Sequence, residues 1–259
     1  MRNALFAGCI AAAVSPAALA DITIGSVLEL EHDGTLGVAR SGHFIFDTTA
    51  APNAPRYGGT EWRFGQAGTN VFSYCNPTRP GQITGFCVEV NEGFGQGVCM
   101  KYDVVKYSDV PGTAPLGTIG SNIQRMNFVG DLYGRHYDNV MSMSGGFQDF
   151  VDKVAGFQLA LWEITHENHN ANGITAKDEL SLFRGAFQIE EGTFSSEAVN
   201  YAEQFMSSIG DGGLLTVSNL LGLRNNGNPG YQDILIVVPS PAIAGLAGLG
   251  LIGLRRRRR

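Results

Sequence analysis

Two side chains in this 259-residue chain have the chemistry to join one another covalently, the thiol of Cys87 and the carboxamide of Gln158. Of the four cysteines, Cys9 lies within residues 1–20, which read as an export signal, so the exported chain keeps Cys75, Cys87 and Cys99. An odd number in an oxidising compartment implies one disulfide and one remaining thiol that is buried, shared between molecules, or chemically special. Spacing alone permits three pairings. The pairing taken forward is Cys75–Cys99, which would tie the turn-like stretch 73–81 to the strand-like stretch 98–107 and leave Cys87 over. In the segment Ile83-Thr-Gly-Phe-Cys-Val-Glu-Val90, Phe86, Val88 and Val90 alternate onto one face, while Cys87 and Glu89 share the other. A cysteine on the polar face is not simple core filling.

Gln158 stands in a segment of helical period, four residues after Val154 and four before Trp162, so it falls on the apolar stripe. An unpaired amide there costs on the order of 1–3 kcal/mol, so Gln158 requires a partner. A main-chain carbonyl or another polar side chain would serve. The thiol would do something different: attack by the Cys87 thiolate on the amide carbon expels ammonia and leaves an internal thioester.

Other residues were weighed for supporting roles. Glu89, two residues from the thiol, could polarise the site, although a strand carboxylate reads first as a surface group. His166 and His169 end the same segment as Gln158, in an order that is not H-E-x-x-H. They read as a solvated helix end, with His166 a candidate for proton transfer near the thioester. No C-x-x-C pair is present and the histidines are scattered, so no metal site and no cofactor are expected. No G-x-S-x-G, Walker or dinucleotide fingerprint follows a suitable strand, which leaves a secreted hydrolase without a recognisable constellation.

The two segments together have a family resemblance. Phe86-Cys87-Val88-Glu89-Val90, followed 71 residues after the cysteine by Gln158 in Phe157-Gln158-Leu159-Ala160-Leu161-Trp162-Glu163-Ile164, resembles the paired signature of bacterial thioester-domain surface proteins. These carry an aromatic-Cys segment in a β-rich part and a distant Q-x-A-[IL]-W helix. The contiguous C-G-E-Q motif of complement proteins is absent, so the resemblance is to the bacterial adhesin type. It covers about 170 residues and implies Cys87 as sulfur donor, Gln158 as acyl donor, and Ala160 and Trp162 as packing positions of the motif. An amine or hydroxyl on a partner protein or polysaccharide would attack the acyl carbon, release Cys87 and leave an amide or ester. Such a reaction is a single event without turnover, so the chain is not expected to be an enzyme. Water competes for the bond, and Phe86, Phe157 and Trp162 are the residues expected to shelter it, as well as to pack the core. A second class of function uses the same residues differently: a non-covalent structural or carbohydrate-binding protein of the envelope or extracellular matrix, with Cys87 merely buried or disulfide-bonded.

Positioning these groups requires an α+β fold with a β-rich barrel or sandwich-like part and an inserted or appended helical part. Strands are expected over residues 22–30, 37–46, 83–90 and 98–107, within a β-rich part 21–107. A connecting part, 108–146, is rich in Gly, Pro and Asn, with a short helix over 122–129. The helical part, 147–210, contains a helix over 148–167 with an apolar stripe of Phe147, Val151, Val154, Phe157, Leu161, Trp162 and Thr165. It also contains a helix over 196–208, with Ser195 or Ser196 as cap and Gly210 as stop. Strands over 214–218 and 231–238, within 211–238, should return to the sheet.

The termini read as addresses. Arg2, an apolar run from Ala4 to Val14 and Ala18-Leu19-Ala20 before Asp21 form a secretory signal with an A-x-A site. Residues 239–259 contain Pro239-Ser240-Pro241, an apolar run over 242–254 and five arginines. As a helix that run reaches only ~20 Å against a bilayer core of ~30 Å, too short for a permanent anchor. The order of short motif, apolar helix and basic cluster resembles the PEP-CTERM sorting signal of Gram-negative bacteria, which implies a membrane transpeptidase as processing partner. Ser240 stands where that family has Glu. The reading as a whole is a chain secreted to the cell surface or matrix and held transiently at the membrane. Arg2 and Arg255–Arg259 account for six of the 18 basic residues, whereas all 24 acidic residues lie between Asp21 and Asp233. The body is therefore strongly acidic, which excludes nucleic acid as a partner.

Overall fold

Alternating apolar residues in short strands bury one face only if the sheet closes or is covered, and here both happen. The computed structural model describes residues 22–34, 39–46, 62–79, 81–90, 92–95, 97–111, 118–167, 176–226 and 230–238. The expected export signal, the sorting tail and His169 lie outside the described residues. The strands are β1 (Val27–Gly34), β2 (Ala39–Phe46), β3 (Arg63–Gly68), β4 (Asn70–Tyr74), β5 (Gln82–Cys87), β6 (Cys99–Lys106), β7 (Phe187–Ile189), β8 (Leu220–Asn225) and β9 (Ile234–Val237). Six of them close into an antiparallel barrel in the order β1-β4-β5-β9-β8-β6, and β3-β2-β7 form a separate three-stranded sheet. Three helices, α1 (Ile123–Met141), α2 (Phe147–His166) and α3 (Ser196–Ser207), are inserted between barrel strands β6 and β8. The architecture is α+β, with a barrel as its β-rich part.

The barrel interior is filled by Leu30, Phe72, Ile83, Tyr102, Leu223 and Ile234, all nearly inaccessible to solvent. The second core lies between the outer barrel wall, the three-stranded sheet and the helices. Helix α2 is central to it. Every residue from Phe150 to His166 is buried, so the one-sided stripe read from the sequence becomes burial all round, whereas Phe147 at the start of the stripe is exposed. A helix wrapped on all sides has no polar face to spare, and its polar residues must find protein partners. Asp152 does so by accepting two bonds from Arg40, at 2.6 and 2.9 Å, which pins β2 to α2. Ser195 caps α3 by accepting from the Ala198 N–H.

The structure departs from the sequence reading most between residues 108 and 146. The expected short helix is the 19-residue α1. Gly130 and Gly134 lower its intrinsic helicity but are required by packing: a Cβ at Gly134 would lie 2.9 Å from the Leu215 Cβ. The fully buried Asp131 carboxylate accepts from the main-chain N–H of Gly210 and Leu215 and from Arg135. That segment is thereby held along α1, so the expected strand over 214–218 is instead an extended strap, and β8 begins only at Leu220. Strand β7, three residues long, and glycine-bearing β3 were too weak in pattern to be anticipated.

Cys75 and Cys99 are disulfide-bonded, with Cα atoms 6.0 Å apart. Strand β1 pairs with β4 on one side and β6 on the other, so the bridge staples the two neighbours of β1 together. It closes a loop of 24 residues, worth about 3 kcal/mol in chain entropy. Replacing both cysteines by serine is expected to lower the unfolding free energy by about that amount, measured by urea denaturation, and to leave Cys87 as the single cysteine among the described residues.

Candidate functional site

Cys87 is the last residue of β5, and its free thiol is buried. On the strand before it, Phe86 pairs with Leu235 and Cys87 with Ile234. Leu235 belongs to the outer core and Ile234 to the barrel interior, so Phe86 points out beneath the helices, while Cys87 lies on the Ile234 face at one end of the barrel and also packs with the outer core. The opposite-face relation of the two residues holds. The Cys87 face is nevertheless not the solvated one, because a closed, helix-covered barrel leaves β5 no such face there.

Three inward-facing residues on adjacent strands meet at this end. Asn70, the first residue of β4, lies opposite Gly85 of β5, and His32 of β1 lies opposite Phe72 of β4. Gly85 is needed at that register, since a Cβ would meet the Ile234 side chain at 2.4 Å and the Leu235 carbonyl at 2.8 Å. The Asn70 Nδ2 donates to the Cys87 Sγ at 2.9 Å, and the Asn70 Oδ1 lies 3.0 Å from His32 Nε2. His32 stacks on Phe94, with ring centroids 4.4 Å apart.

Gln158 reaches the same residue from α2. Its Oε1 accepts from the Cys87 N–H at 2.9 Å, and its Nε2 donates to the Cys87 carbonyl at 2.8 Å. Strand β4 pairs with β5 only as far as Gly85, so beyond that point the β5 main chain lacks a strand partner on this side. The side-chain amide takes that place. Gln158 and Cys87 are both inaccessible or nearly so. The fold thus brings together the two residues singled out by chemistry, and it adds Asn70 and His32, which no motif had marked.

The shelter is divided among several residues. Phe86 and Phe157 pack against one another at 4.7 Å and share an aromatic cluster with Tyr133 and Tyr137. The Tyr133 hydroxyl is buried without a hydrogen-bond partner among the described residues, and its ionisation is opposed by burial and by the charges of Tyr137 and Cys87. Trp162 faces elsewhere, packing against Phe44 and Phe187 of the three-stranded sheet. Ala160 is fully buried in the same outer core.

Two expectations are corrected. Glu89 is not a surface carboxylate: it is buried, its Oε2 accepts from the Asp233 N–H, and its main-chain carbonyl accepts from the Gln232 side chain. Burial and then the Asp233 charge raise its carboxyl above the ordinary range. His166 is not a solvated helix end. It is fully buried, edge-on to Phe46 at 4.7 Å, with Nδ1 3.0 Å from the Trp162 carbonyl, two helical turns or about 12 Å of rise beyond Gln158. Burial lowers it to about 3, so it stays neutral and is a poor proton acceptor near neutral pH. Its one-residue neighbourhood with Glu167, whose carboxylate turns to the Ala186 N–H, was legible only as polar sequence. Among the described residues no group of His, Cys, Asp or Glu could hold a metal ion.

Electrostatically the site favours neutral groups. Burial pushes the Cys87 thiol far up, the Glu89 charge adds to this, and the Asn70 bond opposes it. Chemically, the arrangement offers a neutral thiol on the residue whose main chain is clasped by a carboxamide, and that carboxamide's oxygen already accepts an N–H. That donor is placed to stabilise charge developing on Oε1.

No family model matches the chain, and no curated protein matches it. Among solved structures the chain is similar to the N-terminal thioester domain of the fibronectin-binding protein SfbI from Streptococcus pyogenes, with a TM-score of 0.38 and 10% identity over 81% of this chain and 95% of that one. It is also similar to the N-terminal domain of the Streptococcus pyogenes pilus tip adhesin Cpa, with a TM-score of 0.35 and 12% identity over 77% of this chain and 94% of that one. Among the described residues, no helix is long and apolar enough to cross a membrane.

The buried carboxyls near the site give a pH signature. Asp233 is pushed up to about 7, chiefly by burial, with the Asn225 N–H bond opposing and the Glu92 charge adding. A carboxyl whose folded value exceeds its unfolded one favours the folded state below the unfolded value of 3.8, and this contribution is lost as pH rises to about 7. The Asp233 share of the unfolding free energy should therefore decline across that window, against the rise contributed by the buried, neutral His166, so the stability difference between wild type and Asp233→Asn should shift against the wild type as pH rises in denaturant titrations performed at a series of pH values.

Proposed function

We propose that this chain is an exported surface or matrix protein in which Cys87 and Gln158 form an internal thioester for covalent attachment to a partner. The observation that carries the reading is the clasp of the Gln158 carboxamide on the main chain of Cys87, the cysteine that among the described residues is not used in the disulfide. Bond formation joins Sγ to the Gln158 Cδ and breaks the bond from Cδ to Nε2, and the thiol proton leaves with the nitrogen as ammonia. The Cys87 N–H already bonded to Oε1 is one donor for the tetrahedral intermediate.

Opening by a partner reverses the polarity. An amine or hydroxyl on a protein or polysaccharide adds to Cδ, the bond to sulfur breaks, and the electron pair and a proton end on Cys87. The product is a stable amide or ester, formed once, so the chain works as an attachment device without turnover. The buried setting slows hydrolysis until a target enters. The amino-terminal signal and the carboxy-terminal motif, apolar run and arginines support export and processing by a membrane transpeptidase, which places the acidic body at the surface.

Intact mass of the purified protein tests the reading. The wild type should be lighter by one ammonia, and both Cys87→Ala and Gln158→Ala should abolish the deficit. Methylamine should then add at Gln158 and free one thiol. A full-mass wild type in fresh, folded form would sink the thioester and leave Gln158 as a structural bridge within a non-covalent matrix protein.

A further inference from the structure

We infer that Asn70 and His32 are positioning residues for the sulfur of Cys87: Asn70 holds an N–H on Sγ, and His32 fixes which end of the Asn70 amide faces it. The inference rests on the thioester reading above, which concerns Cys87 and Gln158 alone.

The geometry is a single chain of contacts across three neighbouring strands. His32 Nε2 lies 3.0 Å from Asn70 Oδ1, and Asn70 Nδ2 lies 2.9 Å from Cys87 Sγ. Asn70 is itself buried, so its two ends cannot exchange their partners for water. An asparagine amide offers a donor at one end and an acceptor at the other, and the sulfur meets whichever end the rest of the site leaves to it. With Oδ1 facing His32, that histidine must present Nε2–H. The ring is held for this purpose between the Phe94 stack at 4.4 Å and Phe72 at 5.3 Å. Its Nδ1 is buried without a hydrogen-bond partner among the described residues, so a proton at Nδ1 would be an unsatisfied buried donor. The Nε2–H form avoids that, which is the form that turns the Asn70 N–H toward sulfur.

The chemical consequence follows from where charge sits. In both directions of the reaction sulfur carries negative charge: as the attacking thiolate when the thioester forms, and as the leaving group when a nucleophile opens it. In a dry site with Glu89 nearby, that charge is unwelcome. The Asn70 N–H is the side-chain bond to Sγ that counteracts this, beside a smaller contribution from the Cys87 main-chain N–H, and its strength grows as sulfur becomes anionic. An amide turned the other way would aim a carbonyl oxygen at the same charge and oppose both steps. Neither residue exchanges atoms with Cys87 or Gln158, so they position and do not react.

Asn70→Asp separates this from a packing role, because it preserves shape and the oxygen facing His32 but replaces the donor with an acceptor. In protein carrying the ammonia deficit, thiol release by methylamine should be about ten- to a hundred-fold slower in Asn70→Asp than in wild type, as expected for loss of a hydrogen bond to a charged group. A folded Asn70→Asp that never acquires the deficit supports the inference in the forming direction. Opening at the wild-type rate overturns it. If Asn70→Asp does not fold, the histidine decides. His32→Phe keeps the stack on Phe94 and removes the donor, and should slow opening severalfold, whereas His32→Gln, which retains an N–H, should restore most of the rate; equal rates in the two variants overturn the inference. If the wild type lacks the deficit, the thioester reading has failed on its own account. The inference is then read on the thiol itself: iodoacetamide should alkylate Cys87 more slowly in folded Asn70→Asp than in wild type, and equal rates overturn it.

Discussion

A main-chain N–H and C=O buried away from water must be paired, and at Cys87 the partner is a side chain. Strand β4 stops pairing with β5 at Gly85, while β5 continues to Cys87. The two polar groups left on that side are taken by the two ends of the Gln158 carboxamide. An unmet group of this kind costs on the order of 1–3 kcal/mol, so the pairing is a structural requirement whatever chemistry follows. To deliver Gln158 there, α2 must approach the end of β5, and with the three-stranded sheet and the other helices packed round it the helix is buried on every side. The Thr165 hydroxyl, bonded to the Val88 carbonyl two turns on, repeats the tie between the same two segments.

Much of the remaining structure answers the burial of α2. The three-stranded sheet covers one flank, with Arg40 reaching Asp152, and α3 covers another, with Ser195 donating to the same carboxylate. At the far end Glu163 and Glu167 turn to the main-chain N–H groups of Ser181 and Ala186, which holds the segment 181–186 across the helix. The helix inserted between β6 and β8 is therefore a second core element in its own right, not an appendage to the barrel.

The same dryness sets the electrostatics. Carboxyls at Glu89, Asp233 and Glu163 are raised, each chiefly by burial, and His166 is held neutral. Asp131 is the contrast: two main-chain N–H groups and Arg135 hold its carboxyl below the ordinary range despite its burial. Paired charges serve the scaffold, whereas burial disfavours charge on the groups around sulfur.

The sequence by itself determined the chemistry on offer and the long elements. An odd cysteine after an expected export signal is set aside and a glutamine on an apolar stripe are matters of residue type and period, and both can be read without coordinates. So can α2, α3 and the strands near β2, β6 and β9, because their periodic signals are strong and local. What only the tertiary structure decided was which faces are buried and which residues from distant strands meet. Glu89 and His166 read as exposed because polarity predicts solvent, and closure of the barrel and wrapping of α2 overrode that. Asn70 and His32 carried no motif, since each is a single polar residue in a strand. Only the barrel's strand order and register bring them to one sulfur, and register is a property of pairings that no local stretch of sequence contains.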